Sequence, residues 1–277
     1  MRSSRQFWSP WWAQIIAGLF IVLLAVGPWL WLWLGQREQP MLPTSMSDAA
    51  GLIIIFASIA LLGGWFTRVI GRHGTSFAIL TDIGVLLALV GLVFQWIWGD
   101  APEIFQGKIN DGLQTQLWAL GTAFVISQVL YFLIAKLRLS IVALLVAALV
   151  FSVGRWLQMV ATYTPLESEI YSSLTYAGAL VLGLVLGFLG FLQIWHLVVW
   201  GIALAIQWIM PAVISAVVTL LENPVGSVGG SLAQFGELTQ GSIGQTDWLI
   251  PSLVTLAVAM LVSVILLIVR KGKRRSY

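Results

Sequence analysis

The charges of this chain sit in short clusters between long uncharged stretches, and successive clusters alternate between basic and acidic. A helix needs about 20 apolar residues to cross roughly 30 Å of hydrocarbon. Backbone placed in lipid must satisfy its own hydrogen bonds, which restricts it to helices or closed barrels. These stretches are continuously apolar and do not alternate at period two, so helices are predicted and a barrel is not. Candidate spans are residues 11–34, 49–67, 77–98, 117–134, 139–160, 174–192, 197–221 and 248–269. The sixth and seventh come from one uncharged run, divided near 191–196, where Gln193 and His196 supply the only polarity. The predicted fold is all-α, a polytopic transmembrane helical bundle of about eight spans in a single domain over residues 1–277. Residues 222–247 are expected to form a flexible, Gly-rich outer loop, ahead of a short interfacial or half-entering helix over residues 231–240.

Orientation follows from the basic residues, which favour the cytoplasmic side of short loops. With the N-terminus inside, the cytoplasmic segments carry Arg2 and Arg5, Arg68 and Arg72, Lys136 and Arg138, and the tail from Arg270 to Arg275. Only Arg37, Lys108 and Arg155 fall elsewhere, and every acid except Asp82 falls outside. Reading 174–221 as one span would place the basic tail outside, so the charge pattern itself asks for the split and puts both termini in the cytoplasm. The tryptophans agree, because their rings favour the headgroup level: they cluster at predicted span ends, with Trp208 the clear mid-span exception.

A mean hydropathy of +0.95 with 9% charged residues leaves no polar surface for a sizeable soluble domain. The basic groups flank apolar segments as topology signals do, so no nucleic-acid partner is expected. The first apolar run exceeds the roughly 7–15 residues of a secretory signal and is expected to be a retained span. With no cysteine, disulfides and thiolate chemistry are excluded.

Ionisable groups inside spans are functional candidates by default. Asp82 lies roughly 8 Å into the third span, and Arg155 roughly 24 Å into the fifth, near the outer headgroups, at 1.5 Å per residue. The difference in depth argues against a salt bridge between them. Asp82 is expected either to meet Arg68, Arg72, Lys136 or Arg138 as they snorkel, or to act as a proton or cation coupling site. Arg155 is expected either to snorkel outward toward Glu167, Glu169 or lipid phosphate, or to dock an anionic ligand with help from Gln158 on nearly the same helix face. Gly183, Gly187 and Gly190 mark a close helix contact. Gln207 and Pro211, four apart, suggest a kink with a polar side chain at the gap, an ordinary packed kink ahead of a gating hinge.

Catalytic signatures are lacking. His73 and His196 form no paired metal motif, no nucleophile elbow occurs, and no cluster of polar residues at one depth is apparent in the spans. No cofactor, metal or catalytic residue is expected. The stretch LVVWGIALAIQWIMPAVISAVVTLLENPVGSVGG, residues 197–230, with the Gly-rich segment, final span and RKGKRRSY tail that follow, resembles the membrane part of bacterial transglutaminase-associated multi-pass proteins. No residue role is carried over from that resemblance. The leading expectation is a non-catalytic module of a bacterial cytoplasmic membrane, in contact with the lipid bilayer and acting with a membrane-protein partner or a second copy of itself. The alternative is a small transporter or lipid-handling protein with an outer-leaflet anionic-ligand site around Arg155.

Overall fold

The computed structural model describes residues 11–35, 49–70, 75–100, 102–107, 111–161, 168–222, 228–245 and 248–275. Among them are eleven α-helices and no strand: α1 (Trp11–Gly35), α2 (Ala49–Ile70), α3 (Thr75–Asp100), α4 (Asp111–Lys136), α5 (Leu139–Leu149), α6 (Phe151–Ala161), α7 (Ser168–Ser173), α8 (Ala177–Leu189), α9 (Ile194–Glu222), α10 (Val228–Gln245) and α11 (Leu249–Arg275). Seven helical segments are long and apolar enough to cross a membrane, and the bent pair α5–α6 makes an eighth. Arg2, Arg5, Arg37, Arg72, Lys108, Glu167 and Asp247, on which much of the predicted orientation rests, lie outside the described residues.

The apolar side chains divide between two clusters. One gathers Val22, Val26, Ile55, Ile59, Val85 and Trp96 from α1, α2 and α3. The other gathers Val142, Val146, Leu182, Leu186, Ala203 and Ala259 from α5, α8, α9 and α11. Helix α2 belongs to both through Ile55 and Leu61. It is 72% buried where none of the six other unbroken spans exceeds 39%, which makes it the axis of the bundle. Lipid-length helices that are apolar all round remain exposed at the periphery, as Leu87, Val90 and Phe94 of α3 illustrate.

Glycine sets the closest pairs. A Cβ at Gly18 would collide with the Thr81 carbonyl oxygen, and one at Gly84 with the Ile15 carbonyl oxygen, so α1 and α3 touch backbone to backbone. A Cβ at Gly183 or Gly187 would lie 2.7 or 2.5 Å from the Cβ of Val258 or Val262, which seats α8 directly on α11. Such approaches let dispersion and Cα–H contacts replace the missing hydrophobic drive between helices in lipid.

Four expectations change. The fifth span is not one straight helix: α5 and α6 meet at 44° around Val150. No proline is involved; Ser152 Oγ donates to the Leu149 carbonyl at 2.7 Å, and Val153 N bonds the Val150 carbonyl at 3.1 Å. A hydroxyl offered to a carbonyl three residues back competes with the helical ladder and bends it. Residues 228–245 are helical, not a flexible loop, because Ser231, Gln234, Phe235 and Leu238 form a half-buried stripe on α10, which packs along α9. That packing overrides the poor helix propensity of its glycines. Gly190 makes no helix contact; it caps α8 with φ 78° and ψ 171°, a conformation essentially reserved for glycine. Helix α9 runs unbroken through Pro211, and the Gln207 side chain turns to Thr255 of α11 instead of to the gap.

Candidate ligand-binding cavity

Where the C-terminal ends of α1, α6 and α9 meet the N-terminal ends of α2, α8 and α11, the helices part around a cavity of about 820 Å³. The bend at Val150 opens it. Helix α6 leans away from α5 and presents Phe151, Arg155, Gln158 and Met159 to the space. Two glycines allow the opposite wall to close in. A Cβ at Gly154 would lie 2.7 Å from the Thr175 carbonyl oxygen, and one at Gly178 would lie 2.5 Å from that of Val150. The 3₁₀ turn Leu174–Tyr176 is thereby drawn over α6, and Thr175 Oγ donates to the Ser172 carbonyl to fix it to α7. Trp156 points the other way and donates Nε1–H to the Ala25 carbonyl of α1 at 3.0 Å.

Four of the residues singled out from sequence, Arg155, Gln158, Gln207 and Pro211, line this one cavity. Arg155 is exposed to it, and no hydrogen bond or ion pair joins its guanidinium to another described residue. Gln158 is buried and hydrogen-bonded. Thr255 Oγ lies 3.0 Å from the Gln207 carboxamide oxygen and 3.1 Å from the Ala179 carbonyl. One hydroxyl proton cannot serve two acceptors, so the Gln207 amide is best turned to donate its N–H to Thr255, which then donates to Ala179.

Several lining residues carried no signal in the sequence. Tyr171 and Tyr176 sit on the segment between α6 and α8, and Trp248 opens α11 with its ring 6.3 Å from that of Trp208. Trp208, the mid-span exception, now has a place. It lines the cavity, and its buried Nε1–H has no acceptor among the described residues. Indole nitrogen is a donor only, and the described fold leaves this one unpaired. No carboxylate appears among the described residues of the lining, which leaves Arg155 as its formal charge.

Asp82 lies apart from this cavity, toward the end where α1 and α3 begin. It is 8% exposed, and its Oδ1 has no hydrogen-bond partner among the described residues. Arg68 does not reach it. That guanidinium donates to the Ile134 and Leu137 carbonyls at 3.1 and 2.6 Å and so closes the C-terminal end of α4. Around Asp82 the fold collects polarity that the separate spans did not reveal. Tyr131, wholly buried and within electrostatic reach of Asp82, donates to the Ala78 carbonyl at 2.9 Å and accepts the Thr67 hydroxyl proton at 2.7 Å. Thr81 adds a buried hydroxyl beside Tyr131, and Gln128 a buried carboxamide with no hydrogen-bond partner among the described residues. An expectation of no polar cluster at one depth is thus corrected: α2, α3 and α4 contribute to one jointly, each with too few groups to register alone.

Burying a carboxyl without partners costs roughly 1–3 kcal/mol or more. Asp82→Asn keeps the shape and lowers that cost, so its melting temperature in lipid nanodiscs should rise by a few degrees. A fall would mean that the carboxylate accepts hydrogen bonds needed for folding.

The fold is an all-helical bundle with seven or eight segments long and apolar enough to cross a membrane, as expected of a multi-pass membrane protein. No protein family, curated protein or solved structure matches the chain. The resemblance of residues 197–230 to transglutaminase-associated proteins therefore assigns nothing to the cavity, whose case is chemical.

Proposed function

We propose that this chain is a non-catalytic protein of a bacterial cytoplasmic membrane that binds an anionic amphiphile in the outer-side cavity around Arg155, as a small transporter or lipid-handling protein does. The observation that carries the reading is a single guanidinium on the wall of a large cavity with no carboxylate among its described lining residues. A cation with no anion among the described residues is most stable with one supplied beside it, and a guanidinium grips phosphate or carboxylate bidentately. The positive-inside orientation, with both termini cytoplasmic, supports an outward-facing mouth. Cavities of several hundred Å³ lined by aromatic side chains with a few polar groups suit ligands of small-molecule size. The apolar lining, Ile54, Ile214 and Val218, suits an acyl chain.

Native mass spectrometry of the protein in nanodiscs tests this. An anionic lipid should stay bound to the native chain, and its retention should fall about 10- to 100-fold in Arg155→Gln, the loss of one charge-assisted contact of roughly 1.5–3 kcal/mol. Arg155→Lys should retain an intermediate amount, and all three proteins should reach the membrane equally. Undiminished retention in Arg155→Gln rules the reading out, and a stoichiometric protein in place of lipid favours a partner-dependent module.

A further inference from the structure

We infer that Asp82 is a reversible proton-binding site inside the bundle, reached through the hydroxyls of Thr67 and Tyr131 from the end where α2 stops and α3 begins. That end is cytoplasmic in the proposed orientation, and the site is independent of the anion-binding cavity around Arg155.

The carboxyl returns little to the fold for its burial. Asp82 is 8% exposed, its Oδ1 accepts no hydrogen bond from a described residue, and no ion pair joins it to one. The ionisable groups on the neighbouring helices do not offset it. The described part of α1 has none, and the one on α2, Arg68, is turned to the Ile134 and Leu137 carbonyls. At this end α4 carries Tyr131, which is neutral, and Lys136, which makes no ion pair with Asp82. A carboxylate in apolar surroundings with no cation beside it is most stable with a proton bound, and intramembrane acids of this kind serve proton relays. A divalent metal ion would ask for several oxygen ligands, and among the described residues no group of three or more His, Asp or Glu is placed to hold one. A proton needs a single oxygen.

The route is built from three helices. Thr67 lies three residues from the end of α2, and its hydroxyl is 2.7 Å from that of Tyr131 on α4. Tyr131 reaches the Ala78 carbonyl of α3 at 2.9 Å, which the helical ladder pairs with the amide of Asp82 itself. The phenol is therefore within one turn of Asp82 and in electrostatic reach of its carboxyl, with the Thr81 hydroxyl beside it. Each hydroxyl both donates and accepts, so it passes on one proton as it takes another. In the binding step hydronium at the helix end becomes water, and the bond formed is an O–H on the Asp82 carboxylate.

Infrared difference spectroscopy of the protein in liposomes tests the site. On stepping from mildly acidic to mildly alkaline buffer, the native chain should lose the carbonyl stretch of a protonated carboxyl, and Asp82→Asn should lack that change. A native spectrum with no Asp82-dependent change, whether the carboxyl stays ionised or stays protonated throughout, overturns the inference. The route is tested by the rate of the change after a pH jump. Thr67→Val and Tyr131→Phe should each slow it at least about tenfold, while Thr67→Ser, which keeps the hydroxyl, should respond at the native rate. Native rates in both Thr67→Val and Tyr131→Phe overturn the route.

Discussion

Gly84→Ala should remove the folded protein from the membrane. The added methyl would have to occupy the position of the Ile15 carbonyl oxygen, and the facing residue, Gly18, is already without a side chain. Neither helix can yield by turning a rotamer, because the obstacle is backbone on both sides. Helices α1 and α3 would have to separate along their whole crossing, and the core around Val22, Val26 and Val85 would open with them. We expect a cost of more than about 3 kcal/mol, beyond the usual overpacking range because both obstacles are backbone, which reaches the lower end of a typical folding free energy of roughly 5–15 kcal/mol. Fluorescence-detected size exclusion of detergent extracts reads the result as loss of the monodisperse peak. Gly91→Ala, on the same helix and facing open space, is the control; it should gain about 1 kcal/mol in helix propensity. A monodisperse Gly84→Ala protein with unchanged melting temperature would mean that α1 and α3 do not meet there.

The second large effect falls on the other half of the bundle and should be reversible. Gly187→Ala drives a methyl against the Cβ of Val262 and also strains the bond from Ser263 Oγ to the Gly187 carbonyl, 3.1 Å long in the native protein. About 2 kcal/mol of destabilisation is expected. Here the first obstacle is a side chain, Cβ included, so Val262→Gly should restore part of the loss, offset by about 1 kcal/mol of helix propensity. The Ala259 carbonyl, 3.1 Å from the new methyl, sets the remainder. Melting temperatures of the two single variants and the double variant form a mutant cycle. Simple additivity would show that the two positions do not touch.

These two seams were unequally legible. Gly183 and Gly187 announce themselves by their spacing on one helix, whereas Gly18 and Gly84 have no glycine three or four residues away on their own helices, and nothing along the chain links them. The same distinction runs through the candidate sites. The charge pattern exposed the apolar spans, since hydropathy is a local property summed along one segment. It also picked out Arg155, Gln158, Gln207 and Pro211, each conspicuous against apolar neighbours. That they face one cavity is a fact of packing, and so is the place of Tyr171, Tyr176, Trp208 and Trp248 beside them. The cluster at Asp82 escaped notice because threonine, tyrosine and glutamine are unremarkable one at a time. The bend at Val150 was hidden for another reason. Breaks are sought at proline, and here a serine hydroxyl does the work while Pro211 sits in an unbroken helix. Helix α10 was misread because its stability comes from α9 and not from its own residues.

The way α8 closes over the Val150 carbonyl bears on biogenesis. A segment whose helical ladder is replaced at its bend by the bonds from Ser152 Oγ and Val153 N rests poorly alone in hydrocarbon, where no water can supplement them. The nearest shield is the backbone at Gly178, which belongs to the next crossing and emerges from the ribosome later. The fifth and sixth crossings are therefore a natural unit of insertion, held at the translocon or in its watery vestibule until the pair can be released into the bilayer together.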